Sequence, residues 1–194
     1  MQRPHGGHID PVVAAAMSHY QFETLHPFRD GNGRLGRFLI VLHLQLSGVL
    51  EEPTLTVSPW FESRRQDYYD MLFGVSADGD WDSFVRFFAR GLQAAADQTR
   101  RQMVALVAVQ TELKELVRAS TLRADSAHAL VDLAVANPSF TVRKVESDLN
   151  LSYTRANKLV GQLVDLRILR QVPGDTYDRR FFAPRVLRTL TDDT

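Results

Sequence analysis

The chain has 194 residues and a mass of 22.0 kDa, room for one medium domain or two small ones. Its 44% hydrophobic and 24% charged residues exclude a disordered or collagen-like chain, and 23 basic against 23 acidic side chains exclude a strong polyanion-coating or membrane-surface protein. Cysteine is absent, which removes disulfides, thiol nucleophiles and thiolate metal sites.

No apolar run approaches the roughly 18 residues that a membrane span needs. The best stretch, Phe38 to Leu46, contains His43 and Gln45, and the N-terminus has no apolar signal core. The expectation is a soluble, cytoplasmic chain with no membrane partner. The zero net charge is a sum of two parts: residues 1–120 carry 12 basic and 14 acidic side chains, residues 121–194 carry 11 and 9.

The first predicted helix runs from Asp10 to Thr24, with Asp10 as N-cap, Pro11 at the first helical position and an apolar stripe of Val13, Met17, Tyr20 and Leu25. A polar, glycine-bearing segment from His26 to Arg34 follows. Leu35 to Leu46 is apolar and long enough for a buried helix, with Gly48 as its stop. Pro53 and Pro59 mark a loop, and Trp60 to Phe73 is predicted helical. Ala77 to Asp80 reads as a turn, after which Trp81 opens a helix with Phe84, Phe87 and Phe88 inward. Leu92 to Ala119, with no glycine or proline, predicts a long connecting helix.

A second pattern starts near Thr121. Helices are predicted over Ser126 to Ala136, from the cap Thr141 through Leu149, and from Ser152 or Tyr153 to Leu166, with Asn150-Leu-Ser152 as a tight turn. Ile168 to Val172 and Arg180 to Ala183 read as two short strands around a turn at Pro173-Gly174-Asp175. Three helices and a hairpin give a winged helix-turn-helix layout. The fold class is therefore mainly α, divided into a helical core over 1–91, a connecting helix over 92–120 and a winged helix-turn-helix domain over 121–194.

The chemistry concentrates in His26-Pro-Phe-Arg-Asp-Gly-Asn-Gly-Arg-Leu-Gly-Arg37. Gly31 and Gly33 permit positive φ, so successive backbone N–H groups can turn inward as an anion-binding concavity. The following helix points its positive end at the same place. Arg34 and Arg37, three apart, share one helix face. Asp30 is a carboxylate placed to hold Mg²⁺ between phosphate oxygens, and a histidine such as His26 suits a general base. A Gly-Asn-Gly by itself is usually a turn, and a His before Pro usually a loop residue. His, Asp and two Arg at these offsets turn the balance toward a phosphoryl- or nucleotidyl-transfer site.

These twelve residues resemble the signature of the Fic (filamentation induced by cAMP) family, His-Pro-Phe-x-(Asp/Glu)-Gly-Asn-Gly-Arg-x-x-Arg, at every specified position. His19-Tyr-Gln-Phe-Glu23, Arg64 to Leu72 and Gly79-Asp-Trp81 are similar too, so the resemblance covers roughly residues 9 to 95. It implies a protein adenylyltransferase using ATP and Mg²⁺. His26 would deprotonate a Ser, Thr or Tyr hydroxyl of a target protein, and Asp30 would bind Mg²⁺ with the α- and β-phosphates. Gly31, Asn32 and Gly33 would form the anion hole, with Asn32 near the α-phosphate. Arg34 would contact the outer phosphates and Arg37 the γ-phosphate. Phe28 would anchor the loop in the core. The related Doc toxins phosphorylate and carry Lys where this chain has Gly33, which favours AMP transfer here. Tyr68 and Tyr69 stand open between lining an adenine pocket and packing in the core.

Family members usually place several helices and a target-aligning β-hairpin flap before the motif. About 25 residues precede His26 here, so the expectation is an N-terminally incomplete core, with the missing parts in a longer chain or supplied by another. In regulated members a glutamate on a Ser/Thr-x-x-x-Glu helix bonds the second motif arginine, here Arg37; no such segment stands upstream of His26. In the C-terminal module Arg155 and Lys158 on the third helix, with Arg179 and Arg180 at the wing, are candidate DNA contacts. A protein partner for that module and a homo-oligomer are the other partner expectations. The competing functions are a nucleotide-sensing transcriptional regulator, acting through the winged helix, and removal of AMP from a modified protein.

Overall fold

In a computed structural model, which describes residues 9–122, 125–174 and 179–191, helix α1 (Pro11–Leu25) starts at the predicted cap. Asp10 Oδ1 accepts from the backbone N–H of Val12 at 2.8 Å, and Pro11 fills the first position without an N–H to leave unpaired. Helix α2 (Asn32–Leu46) opens three residues earlier than the apolar pattern suggests. Gly31 caps it at φ 85°, a left-handed conformation that a β-carbon disfavours, so the helix issues directly from the loop. The predicted burial of α2 holds for one side only. Ile40, Val41 and Leu44 are buried, whereas Leu35, Phe38, Leu39 and Leu46 are exposed, because nothing among the described residues packs over that side.

The single helix expected over 60–73 is two, α3 (Ser58–Ser63) and α4 (Arg65–Asp78), separated at Arg64 with φ −122° and ψ 35°. The break brings Phe61 and Tyr68 together, their ring centroids 5.4 Å apart. α4 also takes in the first two residues of the turn expected over Ala77 to Asp80, and Gly79, at φ 70°, makes the turn. Conversely, the two helices expected after Trp81 are one, α5 (Trp81–Ala119), of 39 residues. Gly91 does not interrupt it; a β-carbon there would stand 2.7 Å from the Trp60 ring, so the glycine serves close packing.

The chain divides into two compact units, residues 1–100 and 101–194, at a boundary inside α5. The first unit's core gathers Ala15 and Ala16 of α1, Ile40 and Leu44 of α2, Phe61, Val75, and Phe84, Phe88 and Leu92 of α5. Burying each large apolar side chain contributes about 1.5–3 kcal/mol. Where α1 crosses α2, Gly36 admits Glu23 Oε1 and the His19 ring to positions that a β-carbon would occupy.

The second unit runs α6 (Asp125–Ala136), β1 (Phe140–Thr141), α7 (Val142–Asp148), α8 (Tyr153–Asp165), β2 (Arg170–Gln171), β3 (Arg180–Phe182) and α9 (Pro184–Thr191). Thr141 and Ser152 cap α7 and α8 through their hydroxyls, and Asn150, at φ 50°, turns the chain between them. The sheet is antiparallel in the order β1-β3-β2, with Phe140 opposite Phe181 and Gln171 also opposite Phe181. β1 and α9 were not expected from the sequence, and the two predicted strands are shorter than their apolar segments. Ile168, Leu169 and Ala183 extend them into the core with Leu130, Val131, Leu163, Leu113 and Val117. Asp175 of the predicted turn lies outside the described residues. Among the described residues no helix is long and apolar enough to cross a membrane.

Candidate active site

α1 ends in the site. His26, at φ 43°, is its left-handed C-cap and donates its backbone N–H to the Phe22 carbonyl at 3.0 Å. The chain then folds over Asn32, one of two buried polar side chains among the described residues. Asn32 Oδ1 accepts from the Phe28 N–H at 3.0 Å while its Nδ2 donates to the Phe28 carbonyl. This amide therefore staples the loop to the start of α2, and both of its ends face backbone. Phe28 is not the core anchor that the resemblance implied: it is 52% exposed and touches Phe22, 6.5 Å between centroids. The staple supplies the loop's shape instead.

Asp30 Oδ1 accepts from the Gly31 N–H at 2.7 Å, and its Oδ2 stands 3.8 Å from Arg34 Nη2, both side chains well exposed. Arg37 is held differently. Its Nε donates to Ser58 Oγ and its Nη2 to Glu62 Oε1, each at 2.9 Å, and the side chain is 17% exposed. One cleft of about 530 Å³ is lined by His26, Asp30, Gly31, Asn32, Gly33, Arg34 and Arg37 together with Arg29, Glu62, Arg65, Tyr68 and Tyr69. Four guanidinium groups face two exposed carboxylates there, with the N-terminus of α2 adding partial positive charge, an arrangement suited to a polyanion.

Behind the cleft, His19 is buried between α1, α2 and α4. Its Nδ1 donates to the Gly36 carbonyl at 3.1 Å, which leaves Nε2 to accept from the Tyr68 hydroxyl at 2.8 Å. Burial pushes the imidazole down to about 4, against the bond to Gly36, and the nearby Arg37 charge adds to the shift. Burial also pushes the Tyr68 hydroxyl above its ordinary range and raises Glu23, whose Oε1 is buried with no hydrogen-bond partner. Tyr68 thus both packs in the core and lines the cleft, while Tyr69 is exposed beneath the Arg65 guanidinium, 5.4 Å from its ring.

The site residues expected from the motif thus line one cleft, while Ser58, Glu62 and Arg65 were missed. The spacing of Ser58 and Glu62, four apart after a loop proline, was the available signal that both share a helix face. In the second unit Arg155 and Lys158 of α8 are exposed, as are Arg179 and Arg180. Arg179 bonds Asn157 of α8 at 2.9 Å and lies over Phe181.

Residues 1–44 match the family model described as Fic/DOC family. The chain is 42% identical over 79 residues to a protein named protein adenylyltransferase Fic from Aedes aegypti, covering 41% of this chain and 14% of that protein. It is 38% identical over 87 residues to protein adenylyltransferase fic-1 from Caenorhabditis elegans, covering 45% and 16%. It is 37% identical over 89 residues to protein adenylyltransferase Fic from Nematostella vectensis, covering 46% and 19%. The chain spans less than a fifth of the length of these relatives. The stapled loop, the cleft and these likenesses point the same way: the N-terminal part of this chain is similar to the Fic/DOC family.

Proposed function

We propose that this chain transfers AMP from ATP to a Ser, Thr or Tyr hydroxyl of a target protein. The carrying observation is the convergence of His26, Asp30, Gly31, Asn32, Gly33, Arg34 and Arg37 on one cleft. The names of the relatives support the same chemistry at family level. His26 takes the proton of the attacking hydroxyl. The hydroxyl oxygen bonds to the α-phosphorus, the bond from that phosphorus to the bridging oxygen breaks, and pyrophosphate leaves. Backbone N–H groups of Asn32 and Gly33, with the guanidinium groups of Arg34 and Arg37, meet the phosphate charge.

Asp30 fits Mg²⁺: one of its oxygens is committed to Gly31 and the other faces solvent, and Mg²⁺ is commonly held by a single carboxylate plus phosphates. When bound, the ion would neutralise phosphate charge. Labelling with α-³²P-ATP and Mg²⁺ in a lysate tests the reading. His26→Ala abolishes labelling and spares ATP binding, whereas Asn32→Ala, which removes the staple, weakens both. Wild-type protein that labels neither itself nor any lysate protein overturns it.

A second reading concerns residues 121–194. The order helix, strand, two helices and a two-stranded ribbon, with β3 central, supports a winged helix-turn-helix that binds DNA through Arg155 and Lys158 of α8 and Arg179 and Arg180 beside the wing. The Arg179–Asn157 bond supports it too, since it ties the wing to α8. In this reading the cleft senses nucleotide for a transcriptional regulator. Salt-sensitive duplex binding that Arg155→Ala weakens and His26→Ala leaves unchanged is the expected result; binding to no duplex excludes it.

A further inference from the structure

We propose that Ser58 and Glu62 are positioning residues that hold the Arg37 guanidinium edge-on to the loop, so that one edge is presented to a polyphosphate. This rests on the reading that the cleft takes ATP. A guanidinium offers five N–H donors in a rigid plane, and which of them meets a ligand depends on which are already engaged. Here the Nε–H goes to Ser58 and one Nη2–H to Glu62, both at 2.9 Å. Those two bonds fix the plane along one edge. The opposite corner, Nη1, is turned to the first turn of α2, where the loop ends: a β-carbon at Gly33 would stand 3.2 Å from it. Gly33 thus leaves room for the guanidinium to lie against the anion-binding backbone.

The two acceptors sit four residues apart on α3, and α3 is pinned by Phe61, which is 2% exposed and packs on the rings of His19, Tyr68, Phe87 and Phe88. Arg37 side-chain freedom is therefore removed before a ligand arrives, which lowers the entropic cost of binding. A carboxylate on an arginine can also act as a competitor for an anion. The geometry favours positioning, because Glu62 takes the edge away from Gly33 and its side chain is 63% exposed, where solvent screens its charge.

The test is calorimetric titration of the full chain with MgATP, AMP and inorganic triphosphate. Ser58→Ala and Glu62→Ala each weaken MgATP and triphosphate by about three- to tenfold, the worth of one orienting hydrogen bond. AMP, whose single phosphate is met by the loop, changes less than about twofold in the same variants. Ser58→Thr and Glu62→Gln, which keep an accepting oxygen, stay within about twofold of the parent for all three ligands. A tighter MgATP complex in Glu62→Ala overturns the inference and makes Glu62 a competitor; unchanged triphosphate binding in both Ala variants overturns it as well. If triphosphate binds and responds but ATP does not bind, the ATP reading fails and the positioning stands. Binding of neither by the parent chain ends both.

Discussion

His19 ties three helices together with two hydrogen bonds, and its neutrality makes the first unit acid-sensitive. The folded imidazole is held down to about 4 by burial, while in the unfolded chain it titrates near its ordinary 6.5. Between these values the unfolded state binds a proton that the folded state refuses. The stabilisation is complete above pH 6.5 and is lost as pH falls toward 4. One pH unit is about 1.4 kcal/mol, so about 2 kcal/mol of it is gone at pH 5. His19→Asn removes this contribution, and the stability gap between parent and variant in urea melts is expected to narrow by that amount between pH 7.5 and pH 5. Glu23, raised by burial, acts in the opposite direction, but it is present in both proteins and cancels in the comparison to first order. At this scale the motif was legible because its twelve residues are contiguous. The His19–Tyr68 bond joins side chains 49 residues apart, which no local pattern reveals.

Among the elements, α3 has the greatest leverage on the site for its six residues. Phe61 carries it, filling the core beside Phe88 while the same short helix presents Ser58 and Glu62 to Arg37. Phe61→Ala removes a buried ring and should cost about 3–5 kcal/mol in urea melts, with weaker MgATP binding as the clamp loosens. Helix starts were legible wherever a side chain caps them, as at Asp10, Thr141 and Ser152, because capping is a contact over two or three residues. The break at Arg64 and the continuity of α5 through Gly91 were not. Both follow from what packs against the chain there, the Phe61–Tyr68 pair and the Trp60 ring. β1 is two residues long and exists because β3 lies beside it, a partner 40 residues away.

For the molecule as a whole, the described residues bury two cores that share no residue. Both tryptophans, Trp60 and Trp81, pack against the first, so their fluorescence reports that unit alone. Leu163→Ala empties a fully buried position of the second core and should cost it about 2–5 kcal/mol. The far-UV circular dichroism transition is expected to gain an early phase while the tryptophan transition keeps its midpoint. A shared shift of both would mean that the units unfold as one.

The sequence by itself determined the helical class, a change of pattern near Thr121, the helix caps and the glycine-bearing loop from His26 to Arg34. Each of these rests on residues within one or two helical turns, where spacing alone sets which groups meet. Only the tertiary structure decided that Phe28 lies at the surface, that Asn32 staples the loop, that one side of α2 is left uncovered and that Arg37 is gripped from α3. Those outcomes depend on which distant elements pack together, since burial and hydrogen-bond partnership are set by neighbours in space.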